Sequence, residues 1–170
     1  MNPTTNIAIR AARQAGNVIM RSFSRLDSLA VSEKQANDYV SEVDRNAEQA
    51  IIDTIRKAYP GHAILAEESG VHGKDAYQWI IDPLDGTTNY LHGFPQFAIS
   101  IALAHRGRLE SAVVYDPLRD EMYTADRGAG ALLNDRRLRV TEQKGLKGAL
   151  LGTGIPYRDQ RYIDAYLGML

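Results

Sequence analysis

Two amphipathic helical patterns followed by a succession of short strand patterns predict an α+β fold, in which helices form a layer against a sheet. The helical period occupies residues 3–23 and 41–61. Strand-like runs separated by turn signals occupy most of 62–140, with no internal repeat or low-complexity tract between them. At 170 residues and a 44% apolar share, the chain is long enough to close a core of its own.

Each element has a local reason. Ile7, Ala11, Ala15, Val18, Ile19 and Phe23 recur at spacings of three and four, behind Asn2 as cap and Pro3 at the first helical position. A second stripe, Val43, Ala47, Ile51, Ile55 and Ala58, is expected to be opened by Ser41 and closed by Pro60-Gly61, with Asp44 in its first turn. HAILAEES (62–69) and QWIIDP (78–83) read as strands, and the unbroken Trp79-Ile80-Ile81 run predicts an interior one. FAISIALAHRGRLESAVVYDP predicts two strands turning at Arg106-Gly107-Arg108. EMYTADRGAGALLNDRRLRV predicts a further hairpin, with turns at 126–130 and Asn134-Asp135. The last residues predict a strand at Ala149–Gly152, a loop and the first part of a helix. Residues 1–145 are therefore expected to form one α+β lobe and 146–170 to begin a second.

A net charge of −1, from 20 basic and 21 acidic residues interspersed, gives no footprint for direct nucleic-acid binding or for an anionic membrane. No cysteine is present, which removes disulfides, thiol catalysis and cysteine-ligated metals from consideration and suits a cytoplasmic location. The N-terminal residues lack the apolar stretch of a signal peptide, and the longest apolar run, near Phe97 to Ala104, falls far short of a bilayer span. His62, His72, His92 and His105 show no HExxH or paired spacing. No P-loop or dinucleotide-binding glycine pattern occurs.

The stretch WIIDPLDGTTNY (79–90) places Asp82 and Asp85 at the end of an apolar strand pattern, and the preceding strand pattern also ends in acid, at Glu67 and Glu68. Hard divalent cations such as Mg²⁺ take oxygen ligands gathered from separate segments, so Glu67, Asp82 and Asp85 are candidate ligands. Pro83 fixes the backbone and Gly86 permits close approach, so Leu84 could add its carbonyl oxygen. Gly86-Thr87-Thr88-Asn89 resembles a helix start, able to hold an anion such as phosphate. A metal beside an anion site is the layout of a phosphatase. Each part has an ordinary alternative: Asp-Gly is a turn signal, Glu67-Glu68 suits an exposed loop, and Asp44 suits a helix dipole.

Together the segments AARQAGNVI, NDYVSEVD, LAEESG, DPLDGTTN and LLGTGIPY resemble the inositol monophosphatase family of metal-dependent, lithium-sensitive phosphatases, most closely its bacterial SuhB-type branch. The resemblance spans the whole chain in order. It implies a layered α/β sandwich of the sugar-phosphatase type, with the second lobe cut short at residue 170. It further implies that Glu67, Asp82 and the Leu84 carbonyl bind a first Mg²⁺, that Asp82 and Asp85 bind a second, and that Glu67 reaches a third, weaker ion. Gly86 and Thr87 would grip phosphate through backbone N–H groups beside Asp85. Asp44 would bond the Thr87 hydroxyl, and that pair, with Glu67, would form the catalytic set that orients a water. Lys34 is similar to a lysine near the family's phosphate site, with a solvated surface charge as its ordinary alternative, and Glu68 is a further candidate for the site.

The reaction so implied is Mg²⁺-dependent hydrolysis of myo-inositol 1-phosphate and related polyol monophosphates, by a homodimer in the full-length protein. A WDxAAG-like segment, which the family places beyond these residues, is absent, and the 170-residue chain alone is expected to be inactive. Sister phosphatases acting on fructose 1,6-bisphosphate or a phosphoadenosine phosphate are the alternative. So is a regulatory protein keeping the fold, since SuhB-type relatives are associated with the transcription machinery.

Overall fold

The computed structural model of the protein describes residues 2–25, 33–154 and 160–169, with the backbone alone for 33–41. Residues 1–139 form one compact unit and 140–170 another.

Helix α1 (Pro3–Phe23) starts where the sequence places it. The Asn2 side-chain oxygen accepts from the Thr4 N–H at 3.3 Å, and Pro3 occupies the first turn, where its missing N–H costs nothing. Its inward stripe is built of small residues, with Ala11, Ala12, Ala15 and Ile19 fully buried. At Gly16 the approach is closest: a Cβ there would lie 2.7 Å from the Tyr115 ring.

Helix α2 (Glu33–Ala58) begins eight residues earlier than expected, so Ser41 lies inside the helix and does not cap it. The segment EKQANDYV contains several good helix formers and neither Gly nor Pro, so nothing stops the helix from extending backward. Asp44 consequently sits about three turns in, beyond the reach of the N-terminal dipole, and the helix-dipole explanation for it fails. The inward stripe reads Val43, Asp44, Ala47, Glu48, Ile51, Ile52 and Ile55, all buried. Two carboxylates thus lie on the stripe that should be apolar.

The sheet is built from β1 (Ala63–Ala66), β2 (Gly70–His72), β3 (Tyr77–Asp85), β4 (Ala98–His105), β5 (Arg108–Asp116), β6 (Glu121–Asp126), β7 (Gly130–Leu133) and β8 (Arg136–Arg137). A one-turn helix, α3 (Thr87–Leu91), separates β3 from β4. The strand order is β2-β1-β3-β4-β5-β6-β7-β8, and only the β1–β3 pair is parallel. Period-2 alternation turns Ile64, Trp79, Ile81, Ile99, Ile101, Leu103 and Val113 toward α1 and α2, where they form one core. Phe23, Tyr90 and Phe97 close it beside α3 with ring centroids 5.1–5.3 Å apart, and the Tyr90 hydroxyl donates to the Ile19 carbonyl at 3.2 Å.

The opposite face of the sheet carries an unbroken apolar row in register: Val71, Leu65, Ile80, Ala102, Ala112, Ala125 and Ala131. Its larger members and their neighbours stay accessible, Leu109 at 53% and Val114 at 40%. At the start of β3, fully buried Trp79 donates its indole N–H to His62 Nδ1 at 3.1 Å. The His62 ring stacks between Tyr59 and Tyr77, and Tyr77 stacks in turn on His105.

In residues 140–170 the expected strand at Ala149–Gly152 is not formed, and that stretch is irregular. A lone strand leaves its backbone groups unpaired, and among the described residues it finds no neighbour. The short helix α4 (Ile163–Leu167) follows. No described helix is long and apolar enough to cross a membrane.

Candidate metal and phosphate site

The site forms where β1 and β3, running parallel, both end in acid. The β3–β4 register shifts between Asp82 and Asp85, and Pro83 lies within the shift, where a missing donor is tolerated. This irregularity breaks the alternation that would otherwise set Asp82 and Asp85 on opposite faces. The Asp82 side chain accepts from the Leu84 N–H at 3.2 Å, while Leu84 buries its side chain. Gly86 then turns the chain with φ of 95°. A Cβ there would lie 2.8 Å from the Gln96 carbonyl oxygen, so both conformation and space demand glycine.

Glu67 stands opposite Asp82, and their side chains share a hydrogen bond. Burial, then that bond and the Glu67 charge, with a contribution from Asp85, hold Asp82 at about pKa 7, although the Leu84 N–H pulls the other way. Asp44, reaching in from α2, is also raised to about 7, by burial first and then by the charges of Glu68, Glu67, Asp82 and Glu48. Two carboxylates raised to about 7 mark a cluster whose charged neighbours, among the described residues, are all acidic.

Of the residues the sequence singled out, the fold brings Asp44 within electrostatic reach of Glu67, Glu68 and Asp82, and Asp82 within reach of Glu67 and Asp85, with Leu84, Gly86 and Thr87 adjoining. The expected Asp44–Thr87 hydrogen bond is not formed: the Thr87 hydroxyl donates instead to the Leu84 carbonyl oxygen at 2.9 Å. A hydroxyl has one proton, and a turn of this length sets the carbonyl three residues back within its reach. The Lys34 side chain lies outside the described residues.

A residue that sequence reasoning missed is Glu48. It is 3% exposed, and its two oxygens accept from the Glu68 N–H at 2.8 Å and the Ser69 N–H at 3.0 Å. The available signal was its spacing, four residues from Asp44 on the buried stripe of α2.

The donor chemistry fits a hard divalent cation: every donor is oxygen, and excess negative charge is what such an ion relieves. The fit is incomplete in side chains alone, because among the described residues no three His, Asp or Glu side chains converge closely enough to enclose an ion. The carbonyl of Leu84 and water would have to complete the shell.

The layered α+β fold is that of the phosphatase structures it matches. The chain belongs to the inositol monophosphatase family, whose profile matches residues 1–167. It is 59% identical to the Nus factor SuhB of Pseudomonas aeruginosa, over 99% of this chain and 65% of the relative. It is 51% identical to the Nus factor SuhB of Escherichia coli K12, over 100% of this chain and 64% of the relative. Among solved structures it resembles the extragenic suppressor protein suhB of Bartonella henselae, with 42% identity and a TM-score of 0.86 over 98% of this chain and 64% of that one. An inositol monophosphatase from Anabaena shares 37% identity at a TM-score of 0.71, over 82% of this chain and 50% of that one. The chain spans just under two thirds of the length of the curated relatives it matches.

Proposed function

We propose that the chain carries the metal- and phosphate-binding half of a Mg²⁺-dependent hydrolase of small phosphate monoesters, with myo-inositol 1-phosphate and related polyol phosphates as substrates. The observation that carries this reading is the Glu67–Asp82 carboxylate pair at the bulged end of β3, beside a glycine turn.

In this reading Glu67, Asp82 and the Leu84 carbonyl would hold one Mg²⁺, and Asp82 with Asp85 would hold a second. When bound, the cations would lower the pKa of water toward neutrality and offset charge on the phosphoryl oxygens. Gly86 and Thr87 would present backbone N–H groups to the phosphate. Asp44, buried and within electrostatic reach of Glu67 and Asp82, would accept a hydrogen bond from the attacking water. The Thr87 hydroxyl, its proton committed to Leu84, retains lone pairs to accept a hydrogen bond from that water or from protonated Asp44. We place the protein in the cytoplasm, as a lithium-sensitive homodimer when full length.

Phosphate release by the complete gene product from myo-inositol 1-phosphate, fructose 1,6-bisphosphate and phosphoadenosine phosphate, with and without Mg²⁺, tests the reading. Preference for a bisphosphate or nucleotide would move the assignment to a sister phosphatase, and no metal-dependent release from any of them would end it.

A second role is favoured by the naming of the 59%- and 51%-identical relatives as Nus factors, which points to a partner in the transcription machinery. Co-purification of transcription proteins with the wild type and with Asp82→Asn alike would support a role that does not need the metal site.

A further inference from the structure

Resting on the metal reading above, we propose that Glu48 is the positioning residue that sets Glu67 against Asp82.

Buried carboxylates are costly, and like charges four residues apart on a helix repel, so Asp44 and Glu48 together break two local rules of helix design. Violations of that kind persist where function requires them. The contacts of Glu48 show what it does. It touches neither β3 nor Asp82 through any hydrogen bond; both its oxygens are used on consecutive amides of the loop that follows β1. The preceding amide, Glu67 N–H, donates to the Ile81 carbonyl at 3.1 Å. Three successive N–H groups are therefore fixed, one to β3 and two to α2, and the loop has little freedom left to rotate the Glu67 side chain away.

Without Glu48, the Glu68 and Ser69 amides would lose their partners and Glu67 would be anchored from one side only. An acidic loop facing Asp44 and Asp82 would then relax outward, since like charges drive it there. Glu48 thus supplies, from the neighbouring helix, the restraint that holds two mutually repelling carboxylates close enough to share one cation. Support of this kind behind metal ligands is commonly worth 10- to 100-fold in affinity.

The test is Mg²⁺ titration calorimetry on this chain for the wild type, Glu48→Gln, Glu67→Gln and the double variant, with amide hydrogen exchange at Glu68 and Ser69 measured without metal. Glu48→Gln keeps the size of the side chain but turns one acceptor into a donor. It should speed exchange at one of the two amides and weaken Mg²⁺ binding about 10- to 100-fold, with circular dichroism unchanged. Because Glu48 acts through Glu67, the double variant should bind no more weakly than Glu67→Gln alone. Unchanged affinity in Glu48→Gln, or additive losses in the double variant, would overturn the proposal. Should Glu48→Gln fail to fold, Glu48→Asp, too short to span both amides, takes its place under the same criteria. A wild type that takes up no Mg²⁺ while both amides remain protected would refute the metal reading, reducing Glu48 to an architectural clamp.

Discussion

Asp44 and Asp82 are held at about pKa 7 in the folded chain against an ordinary 3.8, so the folded state binds protons that the unfolded state has released. The sign follows: their contribution to stability is full below about pH 4, and it is lost as the pH rises through about 7. In metal-free buffer the melting temperature of the wild type should therefore fall over this window more than that of Asp82→Asn. Each kcal/mol separating them shifts the midpoint by roughly 3 °C. Saturating Mg²⁺ should flatten the wild-type profile and leave that of Asp82→Asn nearly unchanged. Equal slopes for the two proteins would show that Asp82 carries no excess charge. Asp82 and Asp85 were legible in the sequence because they flank a proline and a glycine at the end of an apolar strand. The destination of the Thr87 proton was not, because a hydroxyl chooses among nearby acceptors by distances that only the folded turn sets.

At the scale of elements, the turn from β3 into α3 depends on Gly86. Any side chain there combines a left-handed backbone with a Cβ driven into the Gln96 carbonyl oxygen and the Phe97 backbone. Gly86→Ala should cost at least about 2 kcal/mol, measured by urea unfolding, whereas Gly107→Ala, with the same sign of φ but open space around it, should cost less. Equal costs would mean that crowding at Gly86 is relieved by movement of the 96–97 segment. Helix α1 was readable end to end because its start is written in Asn2 and Pro3. Helix α2 was misread at its start because a serine followed by acids imitates a cap even inside a helix, and no proline or glycine upstream breaks the pattern. The strand expected at 149–152 failed for a different reason: apolar residues give a strand its tendency, but a partner gives it its hydrogen bonds. The β3 irregularity, which creates the site, left only Pro83 as its trace in the sequence.

For the molecule as a whole, the face of the sheet opposite α1 and α2 is an exposed apolar surface of the first unit. Its apolar row crosses seven strands in register, and contiguous apolar surface of that kind drives association in water. Sedimentation velocity should show concentration-dependent self-association of this chain, and Leu109→Lys, placed on that face, should weaken it about ten-fold or more, the equivalent of at least 1.4 kcal/mol. A strictly monomeric wild type would show that the face is covered. Fold class was predictable because amphipathic patterns report which faces are buried. The exposed row was not, because its alanines are scattered through the sequence at intervals that only strand register aligns.

The hydrogen bond between Trp79 and His62 makes the chain its own optical pH meter. Trp79 is the sole indole in the sequence, so tryptophan emission reports one location, near the start of β3 and three residues before Asp82. An indole N–H can only donate, so His62 must present an unprotonated Nδ1. Burial favours that neutral ring, lowering its pKa against the opposing pull of Asp75. The stability this contributes is present above the ordinary histidine value of 6.5 and disappears as the pH falls through the lower folded value. Acidification below the ordinary histidine value should thus change the emission of Trp79 in a single step, before any loss of far-ultraviolet dichroism, and His62→Phe should abolish the step. An emission spectrum indifferent to pH between 4 and 7 would mean that the indole keeps its surroundings whether or not the imidazole is charged.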